Sequence, residues 1–140
     1  MKQSSPDTCT ETQSVVVERD MPYPPDKVWR ILTQPYLIEE WLIRNDFKAV
    51  VGHRFNLDFE WGSVDCEVRA IEPQRTLSYT WNSCELESIV TWTLTPIDTG
   101  TRLRMEQAGF PAGQPRYFHG ARAGWPRFFE RIAIVLAKTD

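Results

Sequence analysis

Arg54-Phe55-Asn56-Leu57-Asp58-Phe59-Glu60-Trp61, followed by Gly62-Ser63 and then Val64-Asp65-Cys66-Glu67-Val68-Arg69, is the stretch that decides the fold. Apolar and polar residues alternate strictly on both sides of Gly62-Ser63, and a period of two places Phe55, Leu57, Phe59 and Trp61 on one face of a strand. Val64, Cys66 and Val68 fall on one face of a second strand, so the pair reads as a hairpin turning at Gly62-Ser63.

The same period continues downstream. Leu77, Tyr79 and Trp81 follow the turn at Glu72-Pro73-Gln74-Arg75; Val90, Trp92 and Leu94 form the next alternating run, and Asp98-Thr99-Gly100 turns it into one bearing Leu103 and Met105. Short strands joined by tight turns predict an antiparallel meander with one apolar face. Upstream, Ser14-Val15-Val16-Val17 opens a β-branched strand that ends at Pro22, Pro24 and Pro25, placing it as a candidate edge. Asp26 stands at the start of a helix carrying Val28, Trp29 and Leu32, which Pro35 breaks. A second short helix over Tyr36 to Trp41 brings Leu37, Ile38 and Trp41 to one face.

The end of the chain reverts to helical spacing, with Trp125, Phe128 or Phe129, Ile132 and Leu136 in one stripe. Pro126 requires either that this helix begins there or that a longer one from about Pro115 is kinked, and Gly120 and Gly124 weaken the upstream turns. Strand, two short helices, meander and long helix leave one sheet face for one helix to cover. The expected fold class is therefore α+β: a curved antiparallel sheet wrapped around a long C-terminal helix, with two short helices after the first strand. Residues 1–12, without a large apolar side chain after Met1, read as a flexible tail, and 13–140 as a single domain.

Composition narrows the function. Of 140 residues, 41% are hydrophobic, 25% charged and 12% aromatic, which suffices for one packed core. A net charge of -3 with dispersed basic residues gives no footprint for nucleic acid, and no run of about 18 apolar residues could insert in a bilayer. Cys9, Cys66 and Cys84 match neither a disulfide framework nor metal-ligand spacing, and with no signal sequence at Met1 the expected location is cytoplasmic.

The segments Met21 to Trp41 (MPYPPDKVWRILTQPYLIEEW), Gly52 to Phe55, Thr99 to Phe110 (TGTRLRMEQAGF) and the pair Gly124-Trp125 resemble the activator of Hsp90 ATPase homologue 1-like family. The resemblance runs from about Ser14 to Leu136. It implies the helix-grip fold of the START / Bet v 1-like superfamily, whose members bind lipids, hormones, flavonoids and polyketides, with a few enzymes among them. Three positions depart from the family pattern. Gln107 stands where many members have His, His53 replaces a second Gly beside Gly52, and Pro126 directly follows Trp125.

The candidate ligand wall is Trp41, Phe55, Phe59, Trp61, Cys66, Tyr79, Trp81, Trp92, Met105, Phe118, His119, Trp125 and Phe129. Aromatic faces with occasional polar handles suit planar apolar molecules. Taken singly, each tryptophan is read first as core filler; taken together, the implied fold makes them a cavity lining facing one another across a void. His119 is expected near the cavity mouth, Cys66 as a small buried hydrophobe, and Arg19, commonly Arg in the family, as a structural partner of a carboxylate across the sheet. No catalytic motif, metal site or cofactor site is visible. The expected activity is enclosure of a small hydrophobic molecule. A polyketide-type cyclase or hydrolase using His119, Tyr79 or an inward carboxylate is the alternative. Partner expectations extend at most to a weak homodimer; an Hsp90-type chaperone ranks low because such co-chaperones carry a further N-terminal domain.

Overall fold

The computed structural model describes residues 12–83 and 86–139; residues 1–11 of the expected tail, Cys9 and Cys84 lie outside them, whereas Thr12, read as the end of that tail, pairs with Pro111 as the first residue of the sheet. Strand β1 (Thr12–Met21) leads into helices α1 (Pro25–Thr33) and α2 (Pro35–Trp41). Strands β2 (Arg54–Phe59), β3 (Gly62–Glu72), β4 (Thr76–Ser83), β5 (Leu86–Ile97) and β6 (Gly100–Pro111) follow, and α3 (Pro115–Lys138) closes the fold. The six strands form one sheet in the order β1-β6-β5-β4-β3-β2, every pairing antiparallel. Bulges at Gln13/Ser14 and Val68/Ala70 bend it. The antiparallel sheet is the one that the alternation predicts, and with α3 across it the architecture is the helix-grip that the resemblance implies.

Proline starts all three helices. Pro25, Pro35 and Pro115 each occupy a first helical position, where no backbone donor is needed and the ring fixes a helical φ. Pro35, read from sequence as a breaker, is thus also the start of α2. At Pro126 α3 runs on unbroken, so the longer-helix alternative holds; the ring deprives the Arg122 carbonyl of its usual partner, and packing of the flanking apolar residues carries the helix past it.

The β2–β3 turn differs from the expectation. Phe59 pairs with Gly62, so the two-residue turn is Glu60-Trp61 and not Gly62-Ser63. Trp61 therefore leaves the alternating strand phase and is 65% exposed, where the sequence reading pointed it inward. The remaining inward positions are buried as expected: Leu57, Val64, Val68, Leu77, Val90, Trp92, Leu94, Leu103 and Met105. From α3, Trp125, Phe129, Ile132, Val135 and Leu136 meet them.

Two glycines in β6 permit close backbone approach. A Cβ on Gly100 would fall on the Met21 carbonyl oxygen and the Pro22–Tyr23 backbone; Thr101 Oγ1 secures the same crossing by donating to the Tyr23 carbonyl at 2.7 Å. Gly109, at φ +116°, would set a Cβ 2.7 Å from the Glu87 carbonyl oxygen. Gly100→Ala is expected to lower unfolding free energy by more than about 1 kcal/mol, read as a shifted urea midpoint at unchanged m value, because backbone and not a flexible side chain must move.

Candidate functional site

The middle of the grip is solid. The Trp92 ring lies 5.6 Å from Trp41, 5.7 Å from Trp125 and 5.7 Å from Phe129, centroid to centroid, so helix and sheet aromatics meet in contact there. The expected void between them is absent at this level, because rings this large fill the sheet-to-helix spacing on their own. A second aromatic group, Phe47, Phe55 and Tyr79, packs edge to face beside it at 5.3 to 6.3 Å.

Open space lies instead at one end of the sheet. A partly open cavity of about 370 Å³ lies between the β2–β3 turn (Phe59, Trp61), the end of β4 (Trp81, Ser83), the start of β5 (Leu86), β6 (Gln107, Phe110) and the first half of α3. The helix contributes Arg116, Tyr117, Gly120, Ala121, Gly124, Trp125 and Phe128, positions three, four, seven and eight apart that share one helical face. Phe59 and Trp61 stack nearly parallel, 5.0 Å apart and 5° between planes, so the exposed indole extends the apolar wall outward from the turn. Trp81 and Trp125 touch at 5.4 Å between the cavity and the packed core.

The most deeply buried polar side chain of the wall is Gln107, 2% exposed. Trp125 Nε1 donates to its Oε1 at 2.7 Å, its Nε2 donates to Ser88 Oγ at 2.9 Å, and Ser88 Oγ donates to the Trp81 carbonyl at 2.6 Å. One relay thus ties α3 to β6, β5 and β4. A carboxamide has two N–H groups and two carbonyl lone pairs, and these contacts use one of each. Two other buried indole donors are also satisfied, Trp41 by the Ile31 carbonyl at 2.9 Å and Trp92 by the Tyr79 hydroxyl at 3.0 Å.

Of the thirteen candidate residues, Phe59, Trp61, Trp81 and Trp125 border the cavity. Trp41, Trp92, Met105 and Phe129 lie in the packed centre, and Phe55, Cys66 and Tyr79 belong to the buried side of the β2–β4 strands. Burial, and then the charge of Asp65, push the Cys66 thiol above its ordinary range; burial likewise raises the Tyr79 phenol, so both are held neutral. Phe118 packs against Phe110 at 5.9 Å, and His119 is exposed beside Phe118, away from the cavity wall. A helix turning 100° per residue carries His119 off the face that Tyr117, Gly120 and Ala121 present. Arg19 finds its carboxylate on α3, at Glu130 Oε1 3.5 Å away, rather than across the sheet.

The sequence reading missed Ser83, Leu86, Gln107, Phe110, Arg116, Tyr117, Gly120, Ala121, Gly124 and Phe128 as wall residues. A signal was available for two kinds of them. Gln107 shares the inward phase of Leu103 and Met105, a polar residue where the pattern demands an apolar one. Gly120 and Gly124 recur one turn apart on the Trp125 side of the helix, and an added Cβ at either would meet nothing within 4 Å. Packing therefore does not demand glycine there, although glycine costs a helix interior up to about 1 kcal/mol relative to alanine.

A family model described as activator of Hsp90 ATPase homolog 1-like protein matches residues 22–137. The chain belongs to this family. Among solved structures, protein MLL2253 from Mesorhizobium loti is 57% identical with a TM-score of 0.88, over 91% of this chain and 99% of that one. DynU16, from the dynemicin biosynthetic locus, is 29% identical with a TM-score of 0.80 over 89% of this chain, which spans 47% of DynU16. CalU16 from Micromonospora echinospora, at 23% identity and a TM-score of 0.79 over 91% of this chain and 78% of that one, shares the fold. No curated protein matches significantly. Among the described residues of this family member there is no grouping of three or more His, Cys, Asp or Glu able to hold a metal, and no helix is long and apolar enough to cross a membrane.

Replacing Gln107 by Leu would strand the Trp125 N–H in a dry site. The variant is expected to lose about 1 to 3 kcal/mol of stability in urea unfolding, with red-shifted or broadened tryptophan emission as Trp125 loosens.

Proposed function

We propose that this protein binds a small, apolar, ring-containing molecule in the cavity between the β2–β3 turn, the β4–β6 ends and the first half of α3. The observation that carries the reading is the cavity itself. About 370 Å³ of space bounded by Phe59, Trp81, Phe110, Trp125 and Phe128 lies within the range of small-molecule sites and offers flat surfaces for stacking. Burial of apolar ligand surface supplies most of the affinity, and the second N–H and second carbonyl lone pair of Gln107 supply orientation. Trp41, Trp92, Met105 and Phe129 act behind the wall by keeping Trp125 in place, and Phe55, Cys66 and Tyr79 by holding the strands that present Phe59 and Trp81.

Gly120 and Gly124 fit this reading, since side chains there would occupy the space a ligand needs. Among the described residues the wall carries no carboxylate, histidine or cysteine, and its ionisable groups are Arg116 and Tyr117. Proton transfer in a cyclase or hydrolase is most often carried by a histidine or carboxylate, and the described wall residues include neither. Binding is therefore preferred over proton-transfer catalysis. DynU16 comes from the dynemicin biosynthetic locus, which supports including products of such loci among the compounds tried.

Titration with flavonoid-, polyketide- and lipid-like compounds is expected to change intrinsic tryptophan fluorescence saturably, because Trp61, Trp81 and Trp125 all border the cavity. Gly124→Leu should weaken that response by about tenfold or more while raising thermal stability, since leucine propagates the helix better than glycine by up to about 1 kcal/mol. Absence of a saturable response across the panel, or full affinity in Gly124→Leu, would refute the reading.

A further inference from the structure

A second depression, about 220 Å³, adjoins the cavity and is lined by Leu42, Phe59, Gly124, Arg127, Phe128 and Arg131. Phe59, Gly124 and Phe128 border both spaces, so one wall is apolar on its cavity side and leads to two guanidinium groups on the other. Arg127 and Arg131 stand one helical turn apart, an arrangement of like charges that is mildly unfavourable unless something negative meets it. Two carboxylates on the helices are engaged elsewhere: Glu130 faces Arg19 at 3.5 Å, and Glu40 of α2 faces Lys138 at 2.8 Å. Among the described residues neither Arg127 nor Arg131 has an ion-pair partner. The Arg131 guanidinium lies 5.8 Å from the Phe128 ring centroid, which holds the charge against the shared wall.

We propose that the ligand is an amphiphilic anion, its ring system in the cavity and a carboxylate or sulfonate group in this groove, where the oxygens meet Arg127 and Arg131. The inference rests on the binding reading above and narrows it to one chemical class. Arginine suits this role because its planar fork presents paired donors to a planar oxyanion and keeps its charge at any physiological pH. A neutral ligand would leave both guanidiniums as they stand, so the groove distinguishes acids from their neutral counterparts.

The test uses two dyes that share one aromatic body, N-phenyl-1-naphthylamine, which is neutral, and 1-anilinonaphthalene-8-sulfonate, which adds a sulfonate. Both are followed by dye fluorescence against the full chain at low salt. The sulfonate is expected to bind roughly tenfold tighter, as two partly exposed charge pairs would supply. The double variant R127Q/R131Q should bring the two dyes to near-equal affinity while leaving the neutral dye unchanged, and added salt should do the same. Equal affinities in the native chain, with both dyes bound, would overturn the anion inference and leave the cavity reading standing. A sulfonate preference that survives R127Q/R131Q, or one lost instead in R116Q, would place the anion elsewhere and likewise overturn it. Failure of both dyes to bind would remove the cavity reading and this inference together.

Discussion

The Trp125 indole is 2% exposed, so its N–H must have an acceptor, and that requirement organises the site. Gln107 meets it at 2.7 Å and in turn engages Ser88, which reaches the Trp81 carbonyl. Each link is modest by itself, yet leaving any one buried group unpaired would cost more than forming it contributes. Helix α3 is consequently fixed in register against β4, β5 and β6 at the level where the cavity begins. The relay is also the boundary of the core: Trp92, Trp41 and Phe129 close-pack on one side, and open space lies on the other.

Side-chain size explains why the space is where it is. Around Trp92 the sheet and helix both present large rings, and two such layers fill the gap. Toward the start of α3 the helix presents Gly120, Ala121 and Gly124, and the gap stays open. The cavity thus follows from a change in residue volume along a single helical face. The same glycines, with Pro126, make the first half of α3 its least self-supporting part, so this half depends on Tyr117, Phe118 and Trp125 packing against Phe110 and the β-strand ends.

Much of the architecture is legible in the residues because each element announces its period. Alternation from Phe55 onward specifies strands with one buried face, and the burial of Val64, Cys66, Val68, Leu77, Tyr79 and Trp92 follows it. The Trp61 position is where this reasoning meets its limit. A period of two holds only inside a strand, and a turn one residue pair earlier than expected puts the indole outside while the pattern continues unbroken on paper. Pro126 shows a related limit, since intrinsic helix propensity argues for a break and tertiary packing overrides it.

The family resemblance that Met21–Trp41 and Thr99–Phe110 carry agrees with the match over residues 22–137, and the residues alone thereby determined the fold class, the inward faces of the strands and the helical stripe of α3. These are local matters, set by the spacing of side chains along one chain. Which inward residues touch each other and which border a void was decided only in three dimensions. Contact depends on the summed volumes of residues distant in sequence, such as Trp92 with Trp125 against Phe59 with Gly124, and no period along the chain encodes that sum.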